Sequence, residues 1–181
     1  MNLVLTGFMG TGKSAVGREI SKRLGFEFCD TDSFVEEHTE MSIREIFAEL
    51  GEEVFRQMEA DAVEALSEKD SLVISCGGGV VLNEKNIENL AKTGIIINLY
   101  ASPEQIFERV RYSSGRPLLQ CQDPLAEIKK LLIQRKDAYT NCDFSFDTSG
   151  LSVTQVADKI LSDENIVKLL KQGKINESKK N

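Results

Sequence analysis

Short apolar runs alternate along this chain with longer amphipathic stretches. Residues 2–5, 26–29, 72–75, 95–100 and 144–146 read as strands. Most are nearly continuous apolar runs rather than strict alternations, the pattern of strands buried on both faces of a parallel sheet. The stretches between them carry helix signals. Ser42 with Glu45 forms a capping box ahead of Ile46 and Phe47, and Ser152 with Gln155 repeats the device. Ser102, Pro103 and Gln105 supply an N-cap, a first-turn proline and a box partner. Gly25 and Gly94 stand where helices end. Strand and helix alternating at this spacing predict an α/β fold of three layers, a parallel sheet with helices on both faces. Two segments depart from the pattern. Residues 112–123, with Ser-Ser-Gly-Arg-Pro inside, read as a mobile loop between two helices, and the tail from about Gly173 is polar and expected to fray.

Composition narrows the function. The 181 residues suit one domain with its own core. Lys and Arg number 22 against 29 Asp and Glu, a formal net charge of −7, which argues against nucleic-acid binding. No run approaches the length of a membrane-spanning helix, and the first residues read as a strand rather than a signal peptide, so a cytoplasmic location is expected. Cys29, Cys76, Cys121 and Cys142 lack paired spacing and are expected to be reduced thiols.

The strongest chemical signal is Gly7-Phe8-Met9-Gly10-Thr11-Gly12-Lys13-Ser14, which matches G-x-x-x-x-G-K-[ST] between a strand and a helix. Its backbone amides and the helix N-terminus suit a polyphosphate, Lys13 suits the β- and γ-phosphates, and the Ser14 hydroxyl suits Mg²⁺. ATP or GTP with Mg²⁺ is therefore expected. Asp30-Thr31-Asp32 follows the second strand, at the strand end that faces the ligand crevice of such sheets. One carboxylate can support Mg²⁺ through water while the other accepts a hydrogen bond from an acceptor hydroxyl; an Asp there can equally cap the next helix. Arg56 and Glu59 are three apart on a helix, so the acid can brace the guanidinium for bidentate capture of a carboxylate. Gly77-Gly78-Gly79 after the third strand allows close backbone approach to a ligand. That strand ends without the Asp by which many P-loop ATPases hold Mg²⁺, which points toward a small kinase. Arg116 lies in the loop predicted to be mobile, with Arg109 before it and Arg135 after it. All three are candidates for anion contact, Arg116 on lid closure.

Over residues 1–162 the chain resembles the shikimate kinases. The resemblance rests on the phosphate loop, Asp30-Thr31-Asp32, Phe55-Arg56 with Glu59, Gly77-Gly78-Gly79, Arg116-Pro117-Leu118-Leu119 and Arg135, in family order. It implies a monomeric P-loop kinase with a five-stranded parallel sheet in the order 2-3-1-4-5. It implies ATP-dependent phosphorylation of the 3-hydroxyl of shikimate, with Mg²⁺, in the pathway to chorismate and the aromatic amino acids. By match, Gly10, Thr11, Gly12, Lys13, Ser14 and Ala15 would hold the nucleotide phosphates, Arg109 would stack near adenine, and Arg116 would be the lid arginine. Ser14 and Asp30 would serve the metal. Asp32 would bind the acceptor hydroxyls and take the proton. Arg56 and Arg135 would grip the carboxylate, Glu59 would orient Arg56, Gly77, Gly78 and Gly79 would contact the ring, and Phe47 and Phe55 would line the apolar side. Residues 163–181 extend past the family's usual end, as an extension expected to be helical and then frayed. Two rivals stand beside this reading. One is a kinase of another small carboxylated alcohol on the same fold. The other is a GTP-binding switch, suggested by Asp147-Thr148-Ser149-Gly150 but lacking an N-K-x-D motif.

Overall fold

The structure is a computed structural model that describes residues 1–111 and 121–178, with side chains of the last helix as far as Gly173. Its elements are β1 (Asn2–Thr6), α1 (Lys13–Leu24), β2 (Glu27–Asp30), α2 (Thr31–Thr39), α3 (Ile43–Glu49), α4 (Gly51–Ser67), β3 (Leu72–Ser75), a 3-10 turn (Val80–Leu82), α5 (Glu84–Thr93), β4 (Gly94–Tyr100), α6 (Pro103–Val110), α7 (Pro124–Gln134), α8 (Lys136–Thr140), β5 (Phe144–Asp147), α9 (Val153–Ser162) and α10 (Glu164–Ser178). All five strands form one parallel sheet in the order β2-β3-β1-β4-β5, as expected.

The apolar runs divide between two cores because a strand sends successive side chains to opposite faces. Val4, Ile74 and Ile96 point to one face, where α4, α5, α6 and α7 cover them with Val63, Leu66, Leu90, Ile106 and Ile128. Leu3, Leu5, Val73 and Ile97 point to the other, against Val16 and Ile20 of α1, Val156 and Ile160 of α9, and Ile166 of α10. A third, smaller cluster joins Val35, Ile46, Phe55 and Ala62 and ties α2, α3 and α4 into a unit beside β2.

The capping signals act where the sequence places them. Ser42 and Ser152 each close a reciprocal capping box, and Ser102 accepts from the Gln105 amide with Pro103 in the first turn. Gly25 ends α1 in the left-handed conformation. Gly94 ends α5 differently: it is extended, because it is also the first residue of β4, where a side chain would press on Val4 and Asn2. Asn2 is fully buried and ties β1 to its surroundings. Its amide nitrogen donates to Lys69 O at 2.7 Å and its oxygen accepts from the Leu72 amide at 3.0 Å. With every strand parallel, the ends of β1, β2, β3, β4 and β5 open on one edge, so the loops after Thr6, Asp30 and Ser75 converge there.

Candidate active site

The loop from β1 into α1 bends tightly under the end of β4. Gly7 has φ of 137°, and any side chain there would collide with the Leu99 carbonyl. Lys13 is buried and reaches back across the loop, donating from Nζ to Gly7 O at 2.8 Å and Phe8 O at 3.1 Å. Thr11 also turns inward: its hydroxyl donates to Phe8 O at 2.8 Å. Of the predicted phosphate-holding residues, Thr11 can therefore offer backbone but no free hydroxyl. Ser14 and Ala15 lie exposed on the first turn of α1.

Ser14 Oγ donates to Asp30 Oδ2 at 2.8 Å and lies 3.2 Å from Ser75 Oγ. Asp30 has two jobs. Its other oxygen accepts the Asp32 amide at 3.1 Å, so the carboxylate beside Ser14 is also the N-cap of α2. This pair of hard oxygen donors suits Mg²⁺, which commonly takes one or two protein oxygens and completes its shell with phosphates and water. Among the described residues no cluster of three or more His, Cys, Asp or Glu could hold a metal unaided, so the nucleotide phosphates would have to share in holding one.

Asp32 follows in the first turn of α2. Burial pushes its carboxyl up to about 6, with the Asp30 charge adding to the rise and Lys13 opposing it. Arg56 of α4 faces the same space. Glu59 Oε2 holds its Nη1 at 2.9 Å and Glu52 holds its Nη2 at 3.0 Å, while its guanidinium stands 5.2 Å from the Phe55 ring centre. Glu59 is 2% exposed, and its other oxygen has no hydrogen-bond partner among the described residues. Burial raises the Glu59 carboxyl, and the Arg56 charge pulls it back. The third edge is the glycine loop after β3. A side chain at Gly77 would run into Asp32, and one at Gly79 into the Arg56 guanidinium. Phe47 and Phe55 pack with ring centres 4.7 Å apart behind Arg56.

Asp32, Arg56, Glu59 and the glycine loop thus meet in one crevice next to Lys13, Ser14 and Asp30. Arg135 joins them at the junction of α7 and α8, beside the Tyr139 hydroxyl. Arg109 sits elsewhere, at the outer edge of the phosphate loop, donating to Gly10 O at 3.2 Å and to Thr148 O at 2.7 Å. Arg116 and the rest of residues 112–120 lie outside the described residues. Cys76 is buried just before the glycine loop, and burial raises its thiol well above the usual range, so it stays protonated.

Three residues of this region escape the sequence reading. Thr31 accepts the Gly77 amide on its hydroxyl at 2.8 Å, fastening the glycine loop to the acid pair. Tyr139 donates to Gly78 O at 2.7 Å. Thr148 holds Arg109 by hydroxyl as well as carbonyl. Thr31 stands between the two acids, and Tyr139 lies one helical turn after Arg135, so both had a positional signal. Thr148 had none.

A strand-loop-helix phosphate cradle, a metal-suited Ser–Asp pair and a separate crevice with an acid and a braced arginine define a P-loop phosphotransferase with its own acceptor pocket. Comparison with known proteins agrees. The family model described as shikimate kinase matches residues 9–164. A shikimate kinase from Thermodesulfovibrio yellowstonii is 46% identical over 162 residues, 90% of this chain and 94% of that protein. One from Thermus thermophilus is 43% identical over 88% of this chain and 87% of its own length. Among solved structures, shikimate kinase from Acinetobacter baumannii in complex with shikimate superposes with a TM-score of 0.85 at 35% identity, covering 88% of this chain and 90% of that one. A gluconokinase from Sinorhizobium meliloti shares the fold alone, at 15% identity and a TM-score of 0.59. The chain belongs to the shikimate kinase family.

Proposed function

We propose that this chain transfers the γ-phosphoryl group of ATP to the 3-hydroxyl of shikimate, giving shikimate 3-phosphate and ADP on the route to the aromatic amino acids. The observation that carries this reading is Arg56, held by a buried glutamate in the same crevice as Asp32 and beside the phosphate loop. A carboxylate-binding group and a hydroxyl-binding group are what a small hydroxylated acid requires.

Arg56 and Arg135 take the acceptor carboxylate, Glu59 fixes the Arg56 fork, and the backbone of Gly77, Gly78 and Gly79 lies against the ring. Phe47 and Phe55 close the apolar side. Asp32 accepts a hydrogen bond from the acceptor hydroxyl and receives its proton as the bond to phosphorus forms. A carboxyl near 6 is mostly ionised at neutral pH and still basic enough for that task. Lys13 leaves Gly7 O and Phe8 O for the β- and γ-phosphates. Ser14 and Asp30 would hold Mg²⁺, which would neutralise charge on those phosphates. Arg109 would stack near the adenine, and Arg116 would reach the phosphates on lid closure, which would exclude water as a competing acceptor. The unit we propose is a monomer, with residues 1–162 as the kinase domain and residues 163–181 as an extension.

The test is ADP release from Mg-ATP with and without shikimate, alongside size-exclusion chromatography. Saturable dependence on shikimate is expected. Release that responds instead to another small carboxylated alcohol, such as gluconate, would reassign the acceptor and leave the phosphate loop's role intact.

A further inference from the structure

Beneath the phosphate loop, on the sheet face covered by α6, α7 and α8, lies a cavity of about 320 Å³ that no step above uses. Ile96 and Asn98 of β4 point to this face. Ile96 belongs to its apolar core, and two residues on the period-2 pattern places an amide where a hydrocarbon would pack. Asn98 is 6% exposed, lines the cavity, and its Oδ1 has no hydrogen-bond partner among the described residues. Leaving a buried amide oxygen unsatisfied is unfavourable, and a leucine there would avoid the penalty.

The remaining surroundings define what would fit. Phe8, Ala101, Ile106 and Leu132 make apolar walls. Two hydroxyls near the floor are already engaged, Thr11 with Phe8 O and Tyr139 with Gly78 O. Their oxygens can still accept, so water can occupy this floor, and a ligand entering the cavity would displace it. The cavity's exposed lining residues, Tyr100, Lys136, Thr140 and Ser145, make the rim, and Lys136 forms no ion pair with any described residue. An apolar volume with one convergent polar group inside and a cation at the rim is the usual make-up of a small-molecule site, and the size is at the lower end of that range.

We propose that this cavity is a second small-molecule site, for an amphipathic carboxylic acid with an aryl body. A hydroxyl at its inner end accepts from the Asn98 side-chain nitrogen, since Oδ1 itself is closed to solvent, and its carboxylate meets Lys136 at the mouth. The site borders the nucleotide and acceptor pockets without sharing their charged groups: Thr11 lines it through a side chain turned inward from the phosphate loop, while Lys13, Ser14, Asp30, Asp32 and Arg56 do not line it. It touches both through two residues. Phe8 carries the carbonyl that accepts Lys13 Nζ, and Tyr139 holds Gly78; their rings meet edge to face with centres 6.4 Å apart.

The test titrates 3-(4-hydroxyphenyl)propionate into the ¹⁵N-labelled full chain without ATP or shikimate. Saturable amide shifts are expected at Phe8, Asn98 and Thr140, with a relay to Gly78, and a Kd below ~1 mM. Asn98→Leu should weaken binding at least about tenfold while raising the melting temperature, because it removes the unsatisfied oxygen. Thr140→Trp should block the mouth, and Lys136→Glu, a surface change, should weaken binding and keeps the test open if the tryptophan variant fails to fold. Absence of saturable shifts up to ~10 mM overturns the proposal. So does binding abolished by Arg56→Ala but not by Asn98→Leu, which would put the probe in the acceptor pocket. A loss of stability in Asn98→Leu overturns it too, by showing that the amide is structural. None of these results bears on phosphoryl transfer, which ADP release measures separately.

Discussion

Replacing Asp32 by asparagine is expected to strengthen the fold while stopping the reaction. The carboxyl goes from an ordinary 3.8 to about 6 on folding, chiefly through burial, with the nearby Asp30 charge second. A raised value means that the folded state favours the neutral form. The group's contribution to stability is fully present below the unfolded value and is lost as pH rises through about 6. At pH 7.5 the ionised side chain therefore weighs against folding by up to about 3 kcal/mol, at about 1.36 kcal/mol per pH unit. At pH 4.5 the same linkage leaves about 1 kcal/mol. Asparagine keeps the shape and carries no charge, so the variant should gain about 2–3 kcal/mol over wild type at pH 7.5 and about 1 kcal/mol or less at pH 4.5. Urea unfolding at both pH values measures this directly. Turnover with shikimate should fall by about 10²–10⁴ through loss of the proton acceptor, with ATP binding nearly unchanged. A variant less stable than wild type at pH 7.5, or a gain equal at the two pH values, would refute the electrostatic argument. Unchanged turnover would remove Asp32 from the chemistry.

Other expectations follow from the same geometry. Arg56→Ala should raise the KM for shikimate by the equivalent of about 2–4 kcal/mol, and should lower the melting temperature because Glu59 would be left buried without its partner. Gly79→Ala puts a methyl group where the Arg56 guanidinium stands, so acceptor binding should suffer while ADP affinity, measured by calorimetry, stays within about twofold. Asn2→Ala removes the amide that joins β1 to Lys69 and Leu72, and urea unfolding should show a loss of about 2–4 kcal/mol. Removing Mg²⁺ with EDTA should abolish ADP release and leave the melting temperature of the nucleotide-free chain unaltered, since Ser14 and Asp30 already satisfy each other by a hydrogen bond.

Much of the architecture is written in local pattern. Apolar runs of strand length, with capping serines and a glycine-rich turn between them, leave few ways to assemble other than a parallel sheet between helical layers. The phosphate loop is legible because its job is done by contiguous backbone, so spacing along the chain is spacing in the site. The Arg56–Glu59 brace is legible for a similar reason, since three residues on a helix is a contact distance. Gly94 shows the limit of local reading. It does end a helix, but as an extended residue, because the strand that follows claims it at once.

What the sequence by itself determined is the set of elements and the groups whose partners lie within a helical turn or a single loop. It could not set distances between groups far apart in the chain, which depend on how five strands order in the sheet. The family resemblance paired Ser14 with Asp30, but that Thr31 fastens the glycine loop, that Tyr139 reaches Gly78 and that Arg109 is held by Thr148 were decided only by the tertiary structure. The same packing buries Asp32 and so sets its basicity, and it leaves Asn98 facing a cavity instead of a side chain. The physical reason is that burial and desolvation depend on neighbours in space, and those neighbours come from segments separated by up to about a hundred residues.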